Sequence, residues 1–300
     1  LKYLKFASID IGSNAIRLLF DNVFETAEGP VFKKALLVRV PIRLGEESFI
    51  KGFISEEKIV HLIDCMKSFA FLMKAHEVIS YKAFATSAMR DASNSIEIIE
   101  RIQKESGIKI EIISGDKEAD LISSKFLPNQ LKNKKQVVFV DVGGGSTEVT
   151  LIDQGEKKVG RSFDIGTVRL LHHKVTFQEW SKLNNWLKVN IPWHNDVPII
   201  GSGGNINKII NLVEDSKQKY VSYKQLKQLY TEMKPLDTDE RIIRYMLNPD
   251  RADVIVPAME IFLKIAEWMG STKIHVPQTG LSDGMVRSLY KEFKNRGNNG

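Results

Sequence analysis

Two glycine-rich turns in this chain directly follow an aspartate, and chemistry is first visible there. Ile9-Asp10-Ile11-Gly12-Ser13-Asn14 lies near the start, and Asp141-Val142-Gly143-Gly144-Gly145-Ser146-Thr147 repeats the pattern in the second half. Glycines let backbone N–H groups approach an anion closely, and N–H groups at a turn or helix start point outward, so such turns cradle phosphate oxygens. A third turn, Gly201-Ser202-Gly203-Gly204-Asn205, follows Ile199-Ile200. None is a P-loop, because no Gly-Lys-Ser/Thr follows, and Gly201, Gly203 and Ile206 miss the GxGxxG spacing of dinucleotide folds. Asp10 and Asp141, at strand ends, offer hard oxygen ligands to a cation such as Mg²⁺ that bridges phosphate oxygens. The expectation is a phosphate clamp with a metal ion in it.

The softer ligands point away from other metal chemistry. His172 and His173 are adjacent, so on a helix they diverge, and His61, His76, His194 and His275 lack HxxxH or HExxH company. Cys65 is the one cysteine, which excludes an intrachain disulfide framework, a four-thiolate zinc site and an iron–sulfur cluster. It lies beside the helical stripe Ile59, Leu62, Ile63, Met66, Phe69, Ala70 and Met73 and reads as a small apolar side chain.

The elements that must position these groups follow one grammar twice. Phe6 to Ile9 is an apolar strand ending at Asp10, and Ile16 to Phe20 returns after the turn; Val137 to Val140 ends at Asp141, and Val149 to Ile152 returns. Such duplication predicts two matching domains. Between the copies, Tyr81 to Thr86 reads as a strand, Ser93-Asn94-Ser95 as a helix entry with Gly107 as its stop, and Ile108, Ile110 and Ile112 alternate as a strand. Ser114-Gly115-Asp116 opens a helix through Glu118, and the polar stretch Leu127 to Lys135 suggests a boundary near 124, giving domains 1–124 and 125–300 with the last helix able to pack back on the first. Downstream, Ile206 to Val213, Tyr223 to Met233, Asp239 to Leu247, Asp253 to Met269 and Asp283 to Phe293 read as helices. Strands alternating with helices mean a mixed α/β fold.

Composition agrees. Three hundred residues suit about two domains, and 43% hydrophobic with 27% charged residues describes an ordinary folded chain. No apolar run approaches a membrane span and no signal-like segment precedes Asp10, so a soluble, cytoplasmic protein is expected. Residues 1–120 hold 17 Lys+Arg against 18 Asp+Glu, so of the chain's 43 against 37 the remainder holds 26 against 19. That basic second half suits a polyanion. Nucleic acid is not expected, because the basic residues form no aromatic-interleaved stripe and no zinc-finger or RNA-binding pattern.

The turns belong to a longer series. Ile9 to Asn14 with Arg17-Leu18, Ala85-Thr86-Ser87-Ala88-Met89-Arg90, Ile113-Ser114-Gly115 with Glu118-Ala119, Asp141 to Glu148, Gly166 with Arg169-Leu170, Arg251 to Ile255, and Gly280-Leu281 with Gly284 resemble, in order, the motifs of the exopolyphosphatase and guanosine pentaphosphate phosphatase family. Lys117, Asn205 and the segment Thr279 to Gly284 depart from its usual residues. The resemblance implies two ribonuclease H-like, actin-like ATPase domains facing each other across a cleft, and hydrolysis of a terminal phosphoanhydride with Mg²⁺ or Mn²⁺. It implies Glu118 as the glutamate that polarises the attacking water, and Asp10 and Asp141 as paired catalytic aspartates that hold the metal with Glu148. It also implies Arg90, Gly12, Ser13, Asn14, Gly143, Gly144, Gly145, Ser146, Thr147, Gly203 and Gly204 as phosphate-binding positions, and a homodimer. Inorganic polyphosphate and guanosine pentaphosphate end in the same phosphoanhydride, so both stand as substrates. The shared turns also suit an ATP-dependent kinase or a polyphosphate sensor without turnover. Independently of the family, a phosphoryl group leaves through a loose transition state, so positioning and charge neutralisation matter most and a proton acceptor for water completes the set.

Overall fold

The computed structural model describes residues 3–123, 131, 134–191, 197–213, 219–278 and 280–297. The first strand, β1 (Tyr3–Ile11), turns back through Gly12 to Ala15 into β2 (Ile16–Thr26), and β3 (Gly29–Val40) completes a meander. Helices α1 (Gly45–Lys51) and α2 (Glu56–Ala75) lead to β4 (Ser80–Ala85), and α3 (Ser87–Asp91) and α4 (Ser95–Ser106) to β5 (Glu111–Ile112). The α2 stripe is buried where the helical spacing predicts, with Ala70 half-buried at its edge, and Gly107 ends α4 in the left-handed conformation that favours glycine. Cys65 is buried in this core, and burial pushes its thiol up to about 12, so it is an inert apolar side chain.

The second set begins with α5 (Gly115–Ser123), followed by β6 (Gln136–Val142), β7 (Thr147–Asp153) and β8 (Glu156–Phe163). Then come α6 (Thr167–Leu171), α7 (Phe177–Asn190), β9 (Ile199–Ser202), α8 (Gly204–Ile209), β10 (Tyr220–Ser222) and α9 (Tyr223–Met233). The chain continues through α10 (Thr238–Tyr245), α11 (Pro249–Ala252), α12 (Ile255–Trp268), β11 (Lys273–His275) and α13 (Leu281–Gly297). Capping boxes at Ser222 with Gln225 and Asp237 with Glu240 fix the starts of α9 and α10.

The duplication read from the two turns extends to whole sheets. One sheet runs β3-β2-β1-β4-β5; the other runs β10-β11-β9-β6-β7-β8. In each, an antiparallel three-strand meander is extended by parallel strands beside its first member: β4 pairs with β1, and β9 with β6. A fully buried apolar core backs each sheet, built on Ile9, Ile11 and Leu62 in the first and on Val138, Val140 and Phe262 in the second.

The chain divides into two units, Leu1–Ser114 with Leu281–Gly300, and Gly115–Gly280. The change therefore falls at 114/115, earlier than the boundary expected near 124, a position outside the described residues. Helix α5 belongs with the second unit because it packs on β7 and β8, and a Cβ on Gly115 would lie 2.3 Å from the Ser162 Cβ on β8. Helix α13 joins the first unit, where Val286 and Leu289 pack on Phe6, Leu19 and Val23. The alternation of Ile108, Ile110 and Ile112 predicts a longer strand than the two residues that pair with β4.

Candidate active site

Antiparallel pairing sets the second unit's site. Asp141 on β6 stands directly opposite Glu148 on β7, Glu148 opposite Ser162 on β8, and Asp141 beside Ser202 on β9. Directly opposed residues share a sheet face, so Ser202, Asp141, Glu148 and Ser162 form one transverse row. The Ser162 hydroxyl donates to Glu148 Oε1 at 2.7 Å. Helix α5 closes the group: Gly115 seats against Ser162, and Glu118, one turn on, is brought to the acidic pair. Carboxylate oxygens of Glu118, Asp141 and Glu148 lie within 4.8 Å of one another, the one such group found among the described residues. Glu118 and Glu148 are buried, at 8% and 3% exposure. Three gathered carboxylates form an oxygen-only donor set that fits a hard divalent cation such as Mg²⁺ or Mn²⁺.

The glycine turn adjoins this row. Gly143 N–H donates to Ser146 O at 3.0 Å, Ser146 and Thr147 are buried, and the Thr147 hydroxyl donates to Ile165 O. Gly203, at φ 109°, approaches so closely that a Cβ there would lie 2.6 Å from Val142 O and 3.2 Å from Asp141 Oδ1. Only glycine tolerates both that φ and that contact. The Gly204 carbonyl accepts from Arg251.

In the first unit the equivalent turn has the same backbone, with Gly12 N–H on Ala15 O at 3.2 Å. The Ser13 and Ser87 hydroxyls share a buried hydrogen bond of 2.8 Å, joining the first two motifs. Asp10 forms an ion pair with Arg17 at 2.6 Å. Arg90 donates to Ile113 O. Asn14 O accepts from Arg43 N–H at 3.1 Å.

Sequence reasoning missed Ser162 and the part Gly115 plays. A glycine three residues before a glutamate was visible, but its partner lies on a strand far along the chain. The histidines join no acidic or metal-type group among the described residues; His194 and Thr279 lie outside them. No helix among the described residues is long and apolar enough to cross a membrane.

The fold and site define a duplicated α/β protein with a buried oxygen-ligand set beside a glycine turn. The model of the Ppx/GppA phosphatase family matches residues 38–293, and the chain belongs to that family. It is 30% identical to the bifunctional 3-dehydroquinate synthase/phosphatase of Fusobacterium nucleatum, over 97% of this chain and 47% of that protein. The chain thus spans about half the length of that relative. It is 27% identical to exopolyphosphatase 2 of Mycobacterium tuberculosis, over 95% of this chain and 98% of that one. Among solved structures, the Aquifex aeolicus Ppx/GppA family member is similar at TM-score 0.74 and 27% identity, covering 97% of this chain and 99% of that one.

Proposed function

We propose that this chain hydrolyses the terminal phosphoanhydride of inorganic polyphosphate and releases orthophosphate. The observation that carries this reading is the gathering of Glu118, Asp141 and Glu148 around one point, beside a glycine turn, within a single unit. Asp141 and Glu148 would hold a divalent cation, Mg²⁺ or Mn²⁺, which when bound would supply positive charge to neutralise phosphate oxygens. Glu118, on the neighbouring helix, orients a water and accepts its proton. Its burial supports this role, because a carboxylate shielded from bulk water keeps a fixed direction toward its target. The turn Gly143–Thr147 and the pair Gly203 and Gly204 offer N–H groups to substrate oxygens. In the first unit, Gly12, Ser13, Asn14 and Arg90 are read as phosphate-binding residues. There Asp10 is assigned the further task of fixing Arg17, with which it forms an ion pair.

Polyphosphate is preferred as substrate because the relative named exopolyphosphatase 2 is matched nearly end to end. The excess of basic residues in the second half supports a polyanion as well. The same reading takes the cytoplasm as the compartment and a homodimer as the assembly. Exposed Val31 and Leu37 on the edge strand β3 support self-association.

Phosphate release from polyphosphate, guanosine pentaphosphate and ATP, each with and without Mg²⁺, tests the reading. Mg²⁺-dependent release from polyphosphate is expected. Preference for guanosine pentaphosphate would make the nucleotide the substrate, phosphate release from ATP alone would point to an ATPase, and polyphosphate binding without release would leave a sensor.

A further inference from the structure

The three glycine carbonyls of the second turn are all engaged from one side. Gly143 O accepts from Thr167 N–H at 3.0 Å, Gly144 O from Val168 and Arg169 N–H at 2.8 and 3.3 Å, and Gly145 O from the Arg169 Nε at 2.7 Å. All four donors sit in α6, which lies directly on the turn. A Cβ on Gly166 would fall 2.3 Å from Gly144 O and 2.4 Å from Gly145 C, so no side chain fits between helix and turn.

Planar trans peptides convert this clamp into a direction. In each peptide unit the C=O of one residue and the N–H of the next point opposite ways. With the carbonyls of Gly143, Gly144 and Gly145 turned toward α6, the N–H groups of Gly144, Gly145 and Ser146 are turned away from it. Three successive N–H groups on one side make an anion cradle. The first two carbonyls are held by main-chain donors, which most substitutions would leave in place. The third depends on one side chain.

The first unit lacks that dependence. Its Ser13 and Asn14 carbonyls accept from the main-chain N–H groups of Gly45 and Arg43, at 2.8 and 3.1 Å. The Arg169 side chain is only 13% exposed, with Asp164 at 3.8 Å on its outer side, so its head is confined.

We propose that Arg169 is a positioning residue for substrate phosphate: by holding the Gly145 carbonyl it aims the Ser146 N–H into the cradle beside Asp141 and Glu148. This rests on the reading of the turn as phosphate-binding, and it adds a residue that touches neither substrate nor metal.

The test compares wild type, R169M and R169K for polyphosphate KM and kcat, Mn²⁺ affinity by calorimetry, and melting temperature. R169M, which keeps bulk but loses the donor, is expected to raise KM about tenfold, with kcat within about threefold and Mn²⁺ affinity unchanged. R169K, which restores a donor, is expected to bring KM back to within about threefold of wild type. A wild-type enzyme that hydrolyses polyphosphate beside an R169M with wild-type KM would overturn the proposal alone, whereas a wild type inactive on every phosphoanhydride would overturn the functional reading beneath it. Should R169M fold poorly, amide resonances of deuterated wild-type protein titrated with pyrophosphate decide. Those of Gly144, Gly145 and Ser146 are expected to move, and three unmoved signals would contradict the cradle.

Discussion

Asp141 and Glu148 are a directly opposed pair of like charge on neighbouring strands. Such a pair destabilises a sheet unless something positive joins it. At the matching place in the first sheet, Asp10 stands opposite Arg17, and the two form an ion pair of 2.6 Å. One copy of the duplicated turn thus sets its aspartate against an arginine, while the other sets its aspartate against a glutamate that a third carboxylate, Glu118, joins. On the proposed function, that oxygen-only group is the one that would hold a divalent ion.

Removing a carboxylate from each copy separates their roles. Glu148→Gln should weaken Mn²⁺ binding at least tenfold by calorimetry, from loss of one charged oxygen ligand. Asp10→Asn should leave Mn²⁺ affinity within about twofold while turnover falls. Equal loss of metal affinity in the two variants would return Asp10 to the ion's ligand set.

Gly203→Ala tests the close packing against Asp141. The left-handed backbone and the 2.6 Å approach to Val142 O leave no room for a methyl group. A loss of about 1–3 kcal/mol in stability is expected from denaturant unfolding, together with weaker Mn²⁺ binding. Wild-type stability and metal affinity in this variant would show that the turn can yield without disturbing Asp141.

Asp21 gives the first unit a pH signature away from the site. Burial, then the nearby Asp283 carboxylate, push its carboxyl up to about 6 against the partial relief given by Lys34 and Arg287. The folded state thus keeps a proton that the unfolded chain loses near 3.8, and this residue's contribution to stability falls as pH rises from about 4 to 6. Above that window, Asp21→Asn should be more stable than wild type by on the order of 1–2 kcal/mol, after allowance for solvent screening. At pH 3.5 the difference should vanish. A variant less stable than wild type at pH 7.5 would mean that the ionised carboxylate is well paired.

Salt dependence tests the polyanion. Neutralising three phosphates releases their condensed counterions, so KM for long-chain polyphosphate should rise roughly 20- to 40-fold between 50 and 200 mM NaCl. A flat response would favour a short-chain or nucleotide substrate.

What could be read in advance was local. The strand, aspartate and glycine-turn repeat is a pattern of adjacent residues, and it marks the β1–β2 and β6–β7 hairpins with their two turns. The third strands, β3 and β8, left no comparable signal. Lys33 and Lys34 interrupt β3, which is mostly exposed and does not alternate; β8 opens with Glu156, Lys157 and Lys158. The unit that α5 joins is not encoded in its place after the first unit's strands; it is decided by the Gly115 contact with Ser162. The same holds within the site. Asp10, Asp141, Glu118 and Glu148 were marked by motif, but the Asp10–Arg17 pair, the Ser162 hydrogen bond and the Arg169 clamp are cross-strand or long-range contacts that spacing does not encode.

The most direct measurement is turnover of Glu118→Gln set beside its Mn²⁺ binding, polyphosphate affinity and melting temperature. Glutamine keeps the shape of the side chain but loses the basic oxygen. If Glu118 accepts the proton of the attacking water, kcat on polyphosphate falls about 10² to 10⁴-fold while substrate affinity and stability stay near wild type. If Glu118 only favours the start of α5 through the helix dipole, the variant instead loses about 0.3–1 kcal/mol of stability and turns over nearly normally. A stable Glu118→Gln with near-wild-type kcat would contradict the catalytic role assigned to the three-carboxylate site.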